Sequence, residues 1–143
     1  VNIKSLLLIA LMVFLPNAHS LDLEYKGQKI DGVYPMKDMF VENEMNQLRA
    51  SIKYINKFII VIDGTVGKFR PSFNQLTIQQ TNPDNKRQSL HMNVQYKNED
   101  IPFLMKKNKG DKIVYGCKII EIGTYTSSFR TENCLLITDD EYY

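Results

Sequence analysis

A mainly β chain with an N-terminal helix, its strands closing a small five-stranded Greek-key barrel, is the fold class that the sequence predicts. Three observations carry this. An apolar run, Phe58 to Ile62, breaks on Asp63-Gly64 and resumes at Val66, giving a first strand long enough to bend and serve two sides of a closed sheet. Four further strand-like segments follow it, with a short helical stretch between the third and fourth strands. The last two strands carry the chain's two cysteines at equal distances from the turn that joins them.

The chain has 143 residues, room for a leader and one domain. Residues 1–20 read as a signal peptide: Lys4 supplies the positive end, Ser5 to Leu15 the apolar stretch, and Ala18-His19-Ser20 a small-x-small cleavage site after the break at Pro16. A membrane anchor is the competing reading, but the apolar run is shorter than the roughly 20 residues that span a bilayer. The expectation is therefore cleavage after Ser20, a periplasmic or secreted protein, and no membrane span thereafter. With no cysteine near the cleavage site, a lipid-modified amino terminus is not expected.

Cleavage would take one from the 18 basic side chains and none from the 16 acidic ones, leaving a formal charge of +1. Such a balance exerts no long-range pull on nucleic acid or an anionic membrane. Residues 21–37 form a lead-in of mixed polarity with two glycines, either a small hairpin or a loose segment. The domain proper is placed at 38–138, and 139–143 form an acidic tail expected to be solvated.

Along the domain, Val41, Met45, Leu48 and Ile52 recur at intervals of four, three and four, which predicts one helix over about Asp38 to Ile55 with that stripe packed on the sheet. The first strand runs from Phe58 to Phe69, and a turn at Arg70 to Asn74 leads into the second, Gln75 to Gln80. Thr81 to Gln88 is a polar loop. In the third strand, Leu90, Met92, Val94 and Tyr96 alternate with Ser89, His91, Asn93 and Gln95, so one face is apolar and one wet. Glu99 to Met105 makes a short helix in which Ile101, Leu104 and Met105 share a side. Lys106 to Asp111 turns into the fourth strand.

The fourth and fifth strands, about Lys112 to Ile122 and Ser128 to Ile137, fold about the midpoint between Tyr125 and Thr126. That register sets Cys117 opposite Cys134, Glu121 opposite Arg130, and Val114 and Ile122 opposite Ile137 and Phe129 on the other face. In an exported chain with two cysteines this predicts a disulfide. Two cysteines without C-x-x-C spacing are a poor metal site, and no metal or cofactor is expected.

A helix, three strands, a short helix and two strands follow the plan of the OB-fold. Residues Asn46 to Leu136 also resemble the exported OB-fold family known as tRNA_anti-like. The resemblance rests on Asn46, Ala50 and Tyr54-x-x-Lys57 before the first strand and Gly64-x-Val66 within it. Gly110-Asp111 before the fourth strand, Gly116 with Cys117, and Cys134 with Leu136 complete it. Two positions depart: one extra residue lies between Lys57 and Gly64, and Asn56 stands where the family has glycine. The resemblance implies kinship of fold with anticodon-binding domains, not tRNA binding.

No catalytic motif is present, and no enzymatic activity is expected. OB barrels bind across their second and third strands and the flanking loops. The candidate ligand residues are therefore Arg70 and Phe73, Tyr125, and the polar row His91, Asn93 and Gln95. Phe73 and Tyr125 read first as loop anchors, His91 as a solvated strand residue, and the lysines 106, 107, 109 and 112 as a solvated turn or a phosphate-contacting patch. The expected function is an exported non-enzymatic binding or interaction module for an envelope protein or glycan. A nucleic-acid-binding OB domain and a secreted glycan-binding subunit of toxin type are the alternatives.

Overall fold

The computed structural model describes residues 23–143, so the expected signal peptide lies outside the described residues. The lead-in forms a hairpin of β1 (Leu23–Tyr25) and β2 (Gln28–Ile30), turning on Lys26 and Gly27, both at positive φ as a tight two-residue turn requires. Next, β3 (Gly32–Tyr34) pairs in parallel with β4 (Phe58–Val61).

The single helix expected over 38–55 is two: α1 (Met36–Met45) and α2 (Gln47–Tyr54). Asn46 between them is extended, and its side chain accepts from the Arg49 amide at 2.9 Å, capping α2. The break reorients the second helix, and the expected apolar stripe does not pack on the sheet. Met45, Leu48 and Ile52 are 73%, 73% and 72% exposed. The buried face is instead Met36, Met39, Phe40 and Asn43 of α1, at helical spacing, with Ala50 and Tyr54 of α2. Buried Asn43 donates to the Ile122 carbonyl at 3.2 Å.

The remaining strands are β5 (Thr65–Arg70), β6 (Gln75–Thr81), β7 (Ser89–Gln95), β8 (Tyr115–Ile122) and β9 (Ser128–Leu136), and the mixed sheet runs β3-β4-β8-β9-β7-β6-β5. It has seven strands rather than five because the lead-in contributes β3 and the first strand is interrupted at Ile62 to Gly64. The interruption has a cause. The Asp63 carboxylate accepts from the Met36 and Lys37 amides at 2.6 and 3.2 Å, serving as the cap that Pro35 cannot supply to α1. A Cβ on Gly64 would collide with Ile78. Beyond the bend, β4 bonds to β8 and β5 to β6. Backbone bonds from Ile113 to Gly64 (3.1 Å), Val66 to Asp111 (2.8 Å) and Gly110 to Val66 (2.8 Å) tie β5 to the segment entering β8. β7 and β9 are parallel neighbours.

Between β7 and β8, a 3₁₀ turn at Asn98–Asp100 enters the one-turn α3 (Ile101–Leu104), as the sequence predicts. In the β8–β9 hairpin the expected register reappears at both ends, Gly116 with Leu135 and Glu121 with Arg130, although two bulges lie between. One extra residue sits in β9 near Asn133, which takes positive φ, and one in β8 at Ile120, so the two slips cancel. Cys117 and Cys134 form the expected disulfide with Cα atoms 4.2 Å apart. The bulge at Ile120 has a second effect. Ile122 and Phe129 pair as expected but face the same core as the disulfide, and Ile120 is only half-buried.

Two apolar clusters result. The larger lies inside the sheet and takes in α1, α2, the disulfide and the inward faces of β4 to β9. The smaller lies on the outside of β4 and β8 around Phe58, Ile60, Val114 and Ile137, covered by the β1–β2 hairpin and the C-terminal segment. β4 is thus buried on both faces, which is why it reads as an unbroken apolar run. No residue of the acidic tail is buried, but a 3₁₀ turn (Asp140–Tyr142) lays it against the sheet, and the Tyr143 hydroxyl accepts from the Val114 amide at 3.0 Å and donates to the Ile137 carbonyl at 2.9 Å. Among the described residues no helix is long and apolar enough to cross a membrane.

Candidate functional site

Alternation in β6 and β7 decides what faces outward. Leu76, Ile78, Leu90, Met92 and Val94 are fully buried, so Gln75, Thr77 and Gln79 of β6 and His91, Asn93 and Gln95 of β7 project from the opposite side. Their register sets Gln75 against Gln95, Thr77 against Asn93 and Gln79 against His91. The Thr77 hydroxyl donates to Asn93 Oδ1 at 2.7 Å, and the Thr131 hydroxyl of β9 donates to the Asn93 carbonyl at 3.1 Å. The three predicted residues of β7 therefore belong to a wider wall of amides and hydroxyls.

The predicted loop residues stand at the two ends of this wall. Arg70 ends β5 and Phe73 ends the 3₁₀ turn Pro71–Phe73; the Tyr96 amide bonds to the Asn74 carbonyl at 2.9 Å, fixing this turn at the C-terminal end of β7. The His91 amide bonds to the Ser127 carbonyl at 2.9 Å, fixing the β8–β9 loop at the other end. From His91 to Gln95 an extended strand spans roughly 13 Å. Phe73 is 70% exposed and Tyr125 95% exposed, so neither serves as a packing anchor.

Two features were not read as sites from the sequence. A groove of about 460 Å³ runs between α2 and β8, lined by Gln47, Leu48, Ile55, Ile120 and Thr124 among others, with Gln47 Nε2 donating to the Thr124 hydroxyl at 3.1 Å. The spacing that marked Leu48 was legible, but it was assigned to the core. A second pocket, of about 380 Å³, lies between the ends of β5 and β7 and α3; the shared side of Ile101, Leu104 and Met105 was its visible signal.

The strongest electrostatic arrangement is a clamp between the helices. Glu42 of α1 accepts from Arg49 Nε at 3.1 Å, from Lys53 Nζ at 3.0 Å, and from the Tyr54 hydroxyl. Lys53 Nζ lies 5.1 Å from the ring centroids of both Tyr34 and Tyr54. The Tyr54 bond, then the Lys53 bond, hold the Glu42 carboxyl below its ordinary range. Burial, then the Glu42 bond, push the Tyr54 phenol up to about 12. With every partner engaged, this cluster holds helices together and offers no free acid or base.

The residues that carry the family resemblance have structural tasks as well. Asn46 caps α2, and Ala50, Tyr54 and Val66 are core. Gly110 takes φ +91°, and Asp111 accepts from the Asn108 amide at 2.7 Å. A Cβ at Gly116 would lie 2.7 Å from the Phe58 ring. Asn56 adopts φ +60°, a region glycine favours and asparagine tolerates. No family model, curated protein or solved structure matches the chain.

Proposed function

We propose that the protein is a non-enzymatic binding module of the cell envelope, an OB-fold of the tRNA_anti-like kind, whose outer β6–β7 face takes an envelope protein or glycan. The observation that carries this reading is the in-register wall of polar side chains, Gln75 with Gln95, Thr77 with Asn93 and Gln79 with His91, bounded by exposed Phe73 and Tyr125. Amides and hydroxyls exchange hydrogen bonds with sugar hydroxyls or a peptide backbone, and an exposed aromatic ring stacks on either. OB topology is supported by one bent segment that bonds both β6 and β8 and by the parallel β7–β9 pair. The disulfide is consistent with an oxidising compartment, periplasmic or secreted. Against a single nucleic-acid strand stands the wall's lack of lysine and arginine between its ends.

Amide NMR with envelope glycan fragments, envelope peptides and single-stranded oligonucleotides tests the assignment. The expected result is shifts at Thr77, Asn93 and Gln95 with a glycan or peptide, weakened about tenfold or more by Asn93→Ala with Gln95→Ala. Oligonucleotide binding with a steep salt dependence, or shifts confined to other faces, would overturn it.

A further inference from the structure

We infer a second binding site, separate from the β6–β7 face and independent of its proposed role: the pocket beside α3 takes the tail of a fatty-acid-type anionic amphiphile, with Lys107 receiving the carboxylate. The pocket, about 380 Å³, is walled by Phe69, Pro71, Tyr96, Ile101, Leu104 and Met105, and among the described residues Lys107 is the one charged residue lining it. Its shape follows from the chain. α3 stops after a single turn at Leu104, which is buried, and Met105 just beyond it is 81% exposed at the rim. Phe69 and Tyr96 meet edge to face, centroids 6.3 Å apart, and make a stiff opposite wall.

The cation at this pocket is held and unneutralised. Lys107 Nζ lies 4.4 Å from the Tyr143 ring centroid and 5.0 Å from that of Phe103, which restrains the long side chain. Among the described residues it makes no ion pair, and neither does Arg70, which stands between the lining residues Phe69 and Pro71 in the chain. Lys106, exposed next to Lys107, adds a second positive charge. An apolar trough with one unpaired cation in its lining is complementary to a molecule with one apolar chain and one anionic end. The volume lies near the lower limit for small-ligand sites, which favours a single medium-length chain over a two-chain lipid.

Calorimetry and side-chain NMR with monomeric decanoate, below its micelle concentration, provide the test, with decanol and anionic phospholipid vesicles in parallel. Decanoate is expected to shift the Met105 methyl and Tyr96 ring signals and to bind about tenfold more tightly than decanol. Lys107→Gln should remove that difference, and Met105→Glu should block both ligands while melting like the parent protein. No decanoate binding, equal binding of decanol, or binding to vesicles alone would each overturn the assignment.

Discussion

Glu42 shows how much a single side chain can decide. Its Arg49 and Lys53 partners are substantially solvated, so those ion pairs contribute little. The Tyr54 hydroxyl belongs to a buried side chain and depends on the carboxylate as acceptor. Glu42→Gln keeps an acceptor but loses the charge, and should cost about 1 kcal/mol at neutral pH. The pH dependence has a definite sign. Because the folded carboxyl titrates below its ordinary value of 4.5, its contribution is complete above that value and fades as pH falls through the folded one. The Tyr54 phenol, raised from 10 to about 12, contributes fully below 10 and loses its share as pH rises toward 12. Urea melts of parent and variant should therefore differ at neutral pH and converge in acid; a gap that persists at about pH 2 would count against the clamp. Glu42 was legible as a residue off the apolar stripe. Its partner twelve residues away was not, because it depends on the break at Asn46 folding α2 back on α1.

At the scale of elements, period alone could not choose between two sets of apolar residues. Met36, Met39 and Phe40 share one face of a helix, and Val41, Met45, Leu48 and Ile52 share another; the sheet covers only the first. The β8–β9 register was legible because its residue pairs agreed, and it withstood two bulges because they cancel. What the pairing could not show is the local reversal of faces. Val61 and Ile120 are both β-branched residues in strand segments, yet Val61 is in the main core and Ile120 sits half-exposed on the bulge beside the α2 groove. Val61→Asp should abolish cooperative unfolding, since an unpaired buried carboxylate costs several kcal/mol against a total of about 5 to 15. Ile120→Asp should shift stability by no more than about 1 kcal/mol. Thermal melts of the two variants side by side check this, and equal damage would place Ile120 inside.

For the whole molecule, the bend at Gly64 and the last hairpin were readable as local signals, whereas the outer cluster was not, because residues 23–35 and 135–143, from opposite ends of the described chain, close over Phe58, Ile60 and Val114. The two clusters share β4 but not the disulfide, which lies wholly in the main core. This division predicts how the protein opens. With the cysteines 17 positions apart in sequence, reduction should lower global stability by roughly 3 kcal/mol. Amides that exchange only through global unfolding, those of Leu76, Met92 and Ile119, should then exchange on the order of 100-fold faster. The Asp31 amide, bonded at 2.9 Å to the Phe58 carbonyl, is exposed by undocking of the lead-in strands and should keep its rate. Hydrogen exchange with and without reductant reads both groups in one experiment. Uniform acceleration across the molecule would mean that the outer cluster opens only with the main core, as one cooperative unit.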